Sequence, residues 1–447
     1  MSQILTKEDL LAGKEMLLFA KELFPLNRSL MGPDIRKSLK KFCAKHDEFS
    51  EIEFSTGDKV FDWTIPKEWI IKEAYIEHES GRKFAKFSEN NLHLMGYSVA
   101  VDKQLNREQL LQKIHTHPTD KSSIPYVTSY YKEDWAFCMS SNQVKSLPSG
   151  NFRVFIDSKF KEGKLCLQEA LIEGASEKEI FFSSYLCHPS MANNELSGPV
   201  LLNKIMEYVK SIKNRRYSYR FILLPETIGA IAYLSLKKDI LKDKVICGYN
   251  LSCVGDERSY SHVESRLGNN LADLALSSAL IDLENVIKYS FLDRGSNERQ
   301  YCAPGIDLPV CTFCRSKFGE YDEYHTSKDN FDLVTEKGLA GSFSVMKSII
   351  RGMEFGIYPE ISVLCEPQLG KRGLYPNTSK NYNANVGTVT ASLWFGGIPA
   401  VTEEWNGSAW TETTEMASGK ENGAACGIQT ALITFGGVPP STGDVNT

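Results

Sequence analysis

Three near-continuous apolar runs in this 447-residue chain each stop at a side chain able to hold a metal ion or move a proton. Glu179-Ile-Phe-Phe-Ser-Ser-Tyr-Leu-Cys187 runs into His188, Arg220-Phe-Ile-Leu-Leu-Pro225 into Glu226, and the stretch from Lys244 to Gly255 into Asp256. Runs without polar alternation suit strands buried on both faces, as in parallel sheets covered by helices. In open α/β sheets the ligand crevice lies beyond the carboxyl ends of the strands. Strands that bring His, Glu and Asp to one edge therefore predict an architecture and a candidate metal-hydrolase site together.

Between and after these runs the periodicity is helical. Leu201–Val209, Ile228–Lys238, Asn270–Leu283 and Lys337–Met353 read as helices, and strand–helix alternation means βαβ units with right-handed crossovers. Upstream, Thr6 to about His46 reads as two amphipathic helices broken at Pro25–Pro33. From about Glu48 to Gly150 the pattern changes to short strands, among them Val60–Pro66 and Trp69–Glu77. This predicts an all-β domain, 49–150, inserted between N-terminal helices, 1–48, and the α/β core they complete, 151–377. Beyond about Thr378 basic residues dwindle to Lys380 and Lys420, and Gly387–Pro399 recurs as Gly427–Pro439. Two Phe-Gly-Gly strands with Trp405 and Trp410 between them resemble kelch-type blades. Residues 378–447 are thus expected to form a β-repeat tail, too short to close a propeller.

Composition narrows the partners. A net charge of -5 argues against a nucleic-acid or anionic-membrane partner. No apolar stretch approaches the ~20 residues of a membrane span. The N-terminus lacks a basic segment followed by an apolar one, so no secretory signal is expected. Eleven cysteines, an odd number scattered through apolar runs, fit a reducing cytoplasm. Cys311 and Cys314 make a lone Cys-x-x-Cys in a strand-like stretch, without the second pair of a zinc ribbon.

Each site residue has an ordinary reading when taken singly. His188 could be structural, Asp256 an N-cap, and Glu226 half of a surface ion pair. His325 lies in a loop crowded with Glu320, Asp322 and Glu323 that could be solvated charge. Together they offer two imidazoles and two carboxylates, a nitrogen and oxygen set that suits zinc with one position left for water.

Longer motifs carry a resemblance. They are Cys187-His-Pro-Ser190, Pro225-Glu-Thr-Ile-Gly229, Arg294-Gly-Ser-Asn-Glu-Arg-Gln-Tyr301 and Tyr324-His-Thr-Ser327, with Ile124–Tyr131 and Trp135 in the inserted module. On these, residues 7 to 376 resemble a family of bacterial aminopeptidase-like proteins of polysaccharide-biosynthesis clusters. The family's core is similar to that of zinc aminopeptidases and glutaminyl cyclases. The resemblance implies an α/β fold with a mixed, mainly parallel sheet flanked by helices, a small inserted β domain, and hydrolysis of a small peptide or amide. It implies that His188 and Asp256 hold zinc, that His325 approaches from the opposite side, and that Glu226 is the general base. Thr227 stands where the related enzymes place a second metal-binding glutamate, and Asn194 where they place an aspartate. Asn297 also replaces an expected acid, so one zinc is expected rather than two. Glu323, Tyr324 and Arg294 are expected to contact substrate, with Glu323 and its acidic neighbours able to take a free amine. Tyr130, with Tyr126 and Tyr131, could wall the pocket or pack the inserted module. A mononuclear zinc amidase or cyclase acting on a modified sugar or small amide is the alternative, and a catalytically impaired binding protein the next. The family continues after a segment like Pro367–Pro376 into a winged helix, from which this chain is expected to depart at about Thr378.

Overall fold

The computed structural model describes residues 5–356 and the strands 401–405, 410–415, 421–428 and 431–438. The chain divides into two units, Met1–Ile350 and Arg351–Thr447.

The first unit is built on an eight-stranded sheet. Its strands are β1 (Phe49–Ser55), β2 (Lys164–Ile172), β3 (Ser176–Tyr185), β4 (Tyr217–Leu224), β5 (Val245–Leu251), β6 (Tyr260–Val263), β7 (Val286–Tyr289) and β8 (Val310–Cys314). They lie in the order β1-β2-β4-β3-β5-β8-β6-β7. β4, β3, β5 and β8 run parallel, and antiparallel strands flank them on both sides. The three apolar runs are thus β3, β4 and β5, adjacent and parallel, as their patterns require. Phe181, Phe182, Phe221, Ile222 and Tyr249 are fully buried, so both faces of these strands are covered.

The covering helices are α1 (Lys7–Leu23), α2 (Pro33–Cys43), α3 (Ser197–Ser211), α4 (Ile228–Lys244), α5 (Leu271–Leu280), α6 (Glu298–Tyr301) and α7 (Glu336–Phe355). Local chemistry explains their starts. Thr6 caps α1 through a reciprocal box with Asp9, and Pro33 begins α2 where its missing N–H costs nothing. α3 can sit on the strand tips because residue 198 is glycine: a Cβ there would lie 2.3 Å from Ser184 Oγ and 2.5 Å from the Leu251 carbonyl. Lys347 on α7 bonds buried Asp9 of α1 at 2.5 Å, tying these two helices together.

The inserted module has a four-stranded antiparallel sheet, in the order Lys83–Phe84, Glu68–His78, Asn151–Lys161, Val101–Asn106. This moves both boundaries expected at 49 and 150. Phe49–Ser55 pairs with β2 in the large sheet, and Asn151–Lys161 is the central strand of the small one. Strand pairing is non-local, and neither segment carries a local mark of its partner. The module is joined to the core by the 124–127 stretch. Tyr126 N donates to the His325 carbonyl at 2.8 Å, and Ser327 N to that of Ile124 at 2.9 Å.

In the second unit Val401–Trp405 pairs with Trp410–Glu415, and Glu421–Ile428 with Ala431–Val438, as two antiparallel hairpins. The first of the two expected repeat strands, Gly387–Pro399, lies outside the described residues.

Candidate active site

The tips of β3 and β4 meet at one sulfur. Cys187 Sγ accepts the Glu226 N–H at 3.3 Å and lies 3.4 Å from His188 Nδ1, so it sets the two tips side by side. The other nitrogen of the ring, Nε2, then faces Glu226, whose Oε2 is 3.7 Å away. His325 comes from the loop after β8, its ring centroid 5.5 Å from that of His188. Tyr126 packs against both imidazoles at 5.2 Å, and Tyr324 stacks on His325 at 4.0 Å. The site is therefore two imidazoles and one carboxylate, clamped between the sheet edge and an inserted-module tyrosine.

Burial decides the charge states. Desolvation, reinforced by His325 and Arg28, drives His188 well below its usual pKa, and desolvation takes His325 to about 4. Both rings are neutral at pH 7, as metal ligation requires. Burial raises Glu226 to about 7, with Arg299 and Ser296 opposing it, which poises the carboxyl as a base near neutrality.

Glu226 is also held by strain. Thr227 has φ 61° and ψ -78°, and Ile228 N donates to the Glu226 carbonyl at 2.8 Å. This is a γ-turn with positive φ, rare and strained, and harder still for a β-branched residue. Asn297 Oδ1 fixes the turn by accepting from Thr227 N at 2.9 Å, and Arg299 donates to Thr227 Oγ1 at 2.6 Å. His325, Ser190 and Cys253, near the same sheet edge, also have positive φ. Strain gathered at one edge is what a positioned site looks like.

Several expected residues have other work. Asp256 is fully buried with four donors on its carboxylate: Arg258 N and Ser316 Oγ on one oxygen, Asn193 Nδ2 and Ser316 N on the other. It organises the β5 and β8 loops, and all four of these bonds are to donors within the fold. Asn194 accepts from the Tyr185 hydroxyl, which also bonds Ser252 Oγ at 2.7 Å, so a neutral network stands where a carboxylate was expected to be replaced. Arg294 folds over Phe291, its guanidinium 4.7 Å from the ring. Glu323 is held in a two-point ion pair by Arg258 at 2.8 Å. Tyr130 does line the cleft and shares a hydroxyl contact of 2.9 Å with Tyr126.

The cleft has a volume of about 330 Å³, and beside His188, Glu226 and Thr227 it is lined by Trp63, Tyr131 and Arg299. Tyr131 was one of the tyrosines expected either to wall the pocket or to pack the module, whereas Trp63 and Arg299 were not singled out from sequence as cleft residues. Trp63 and Tyr131 pack edge to face at 5.7 Å, so the module supplies one aromatic wall.

The two imidazoles and the carboxyl are donors of the kind that bind zinc. His325 Nε2 is buried without a hydrogen-bond partner, and His188 Nε2 and Glu226 stand close by at longer than hydrogen-bond distance. Cys187, His188 and Glu195 form a second grouping, with ligand atoms within 4.8 Å. There Arg28, completely buried, already pairs with Glu195 at 3.0 Å, and a buried guanidinium opposes a dication. The grouping of His262, Asp273 and Cys311 is internally satisfied: His262 bonds Asp273 at 3.0 Å, and Ser265 bonds its other oxygen.

Residues 18–355 match the family model described as "Domain of unknown function (DUF4910)". A winged helix-turn-helix model matches residues 356–395. That match runs past Thr378, so the kelch-like reading of 378–447 is not supported and the winged-helix sequence continues beyond the expected departure. A Clostridium acetobutylicum protein, named as a polysaccharide biosynthesis protein with aminopeptidase-like domain, is 41% identical over 365 residues, covering 81% of this chain and 83% of its own. A crystal structure of a candidate peptidase from that organism superposes with a TM-score of 0.76 at 37% identity, covering 86% of this chain and 93% of its own. The zinc aminopeptidase BSAP from Bacillus subtilis shares the fold alone, with a TM-score of 0.58 at 11% identity over 79% of this chain and 96% of its own. Among the described residues no helix is long and apolar enough to cross a membrane. The chain belongs to the DUF4910 family, on an aminopeptidase-like α/β fold.

Proposed function

We propose that this site hydrolyses an amide or peptide bond, with a single zinc held by His188 and His325 and with Glu226 as general base. The observation that carries the reading is the meeting of two neutral imidazoles, one with an orphaned Nε2, and a carboxyl raised to about 7 at the ends of parallel strands. Zinc supplies Lewis-acid polarisation of the carbonyl and a water of lowered pKa. Glu226 takes the proton of the attacking water and returns it to the departing amine. Tyr126, packed against both rings and hydrogen-bonded to Tyr130, screens that face of the imidazoles from solvent. The name of the Clostridium relative supports an amide carried on a modified sugar as substrate. Asn194 and Thr227, uncharged, favour one metal over two and also support a second reading, a binding protein whose hydrolytic site has decayed.

Glu226→Gln tests it. Hydrolysis of a responsive amide should fall by about 10²–10⁴-fold, the worth of a general base, while zinc content is unchanged. Undiminished turnover in the variant removes Glu226 from the chemistry.

A further inference from the structure

The cleft holds one cation without an anionic partner. Arg299 lies exposed on α6, lines the cleft, and hydrogen-bonds the neutral Thr227; no carboxylate comes within ion-pair distance of it among the described residues. Its field reaches both Glu226 and Tyr131. Glu320 and Asp322 are not among the residues lining the cleft, and the other carboxylates that could receive a free amine are engaged elsewhere. Glu323 is paired with Arg258 and Glu195 with Arg28. Glu298 accepts from Gly295 N, Ser296 N, Thr312 and Asn250. Asp329 accepts from the amides of residues 192–194. Among the described residues Glu226 is the one carboxyl that lines the cleft, and the chemistry uses it.

We infer that the substrate is an amide bearing an anionic group, bound by Arg299 with its flat or apolar part against Trp63 and Tyr131, and not a free-amine peptide of the aminopeptidase kind. The inference deepens the proposed hydrolase reading and takes this cleft as the substrate site. Water adds to the amide carbon, the C–N bond breaks, and a carboxylate and an amine leave; the anionic group is carried through unchanged. A guanidinium matches carboxylate and phosphate equally through its fork of N–H donors, so the shared chemistry is the anion.

Equilibrium binding tests this without turnover. The probes are N-benzoylglycine, its uncharged amide, the corresponding N-benzoyl aminomethylphosphonate, and glycine anilide as a free amine, titrated calorimetrically into the full chain and its Arg299 variants. The expected result is at least tenfold tighter binding of an anion than of the neutral amide, lost in Arg299→Ala and partly kept in Arg299→Lys. A carboxylate preference or a phosphonate preference identifies the source of the anion, and each supports the inference. Equal binding of anion and amide, tightest binding of the anilide, or a preference surviving in Arg299→Ala overturns it. Zinc content and turnover of the same samples report separately on the hydrolase reading, so the two can fail independently.

Discussion

Arg220 clamps β4 to β2 and β3, two of these three strands bearing the site at their tips, and its removal has a calculable effect. The residue sits in the middle of β4, five residues before Pro225, with a side chain only 4% exposed. It donates two bonds to Glu179 on β3, at 2.6 and 2.7 Å, and one to Glu169 on β2 at 2.6 Å. In Arg220→Ala, Glu169 keeps Tyr233 and Lys237, but Glu179 loses its fork and becomes a buried, unpaired carboxylate. Breaking a buried pair from one side costs about 3–5 kcal/mol, so urea denaturation should show a loss in that range. Removing both charges, in Arg220→Met with Glu179→Leu, should recover at least half of it, because the apolar pair brings no desolvation cost. The pH dependence has a definite sign. Burial raises Glu169, but Tyr233, Arg220 and Lys237 outweigh it and hold its folded pKa below the usual value. A depressed carboxylate contributes stability fully above about pH 4–5 and loses it as pH falls through the folded pKa. The gap between wild type and Arg220→Ala should therefore narrow in acid. A single-variant loss under about 1 kcal/mol, or a double variant no better than the single, would refute this account of the clamp.

Three further outcomes follow from particular contacts. Thr227→Gly should raise stability by about 1 kcal/mol in chemical denaturation, since relief of positive-φ strain exceeds the entropy cost of glycine, whereas Thr227→Ala should not; a loss in Thr227→Gly would show the turn to be unstrained. Tyr185→Phe leaves buried Asn194 and Ser252 without their shared hydroxyl and should cost about 1–3 kcal/mol by the same assay, with an unchanged midpoint contradicting the network. Deleting residues after about 380 should leave zinc content per chain unchanged, because every proposed ligand lies in the unit Met1–Ile350; metal lost on truncation would refute that.

The sequence was most legible where burial is symmetrical. β3, β4 and β5 are covered on both faces, so their apolar runs are continuous and their polar tips stand out, and His188 and Glu226 could be read directly. The edge strand Phe49–Ser55 alternates, which says strand but not which sheet, and so the module boundaries were displaced. Asp256 occupies a strand tip like the others. What sets it apart is Ser316, Arg258 and Asn193 around its carboxylate, and those are brought together only by the fold. Arg294 and Arg299 are five residues apart in one motif with the same chemistry. Arg294, ahead of the short helix, folds back over Phe291, whereas Arg299 on the helix lines the cleft, and no local signal separates them. Trp63 reaches the site across the module, a tertiary fact with no periodicity to betray it.

Metal content per chain, by elemental analysis of the purified protein alongside His188→Ala and His325→Ala, tests the central claim most directly. About one zinc is expected in the wild type, with its loss in both variants, since each variant removes one of the two imidazole nitrogens proposed to hold it. No zinc in the wild type after incubation with the metal, or equal zinc in the histidine variants, would contradict it.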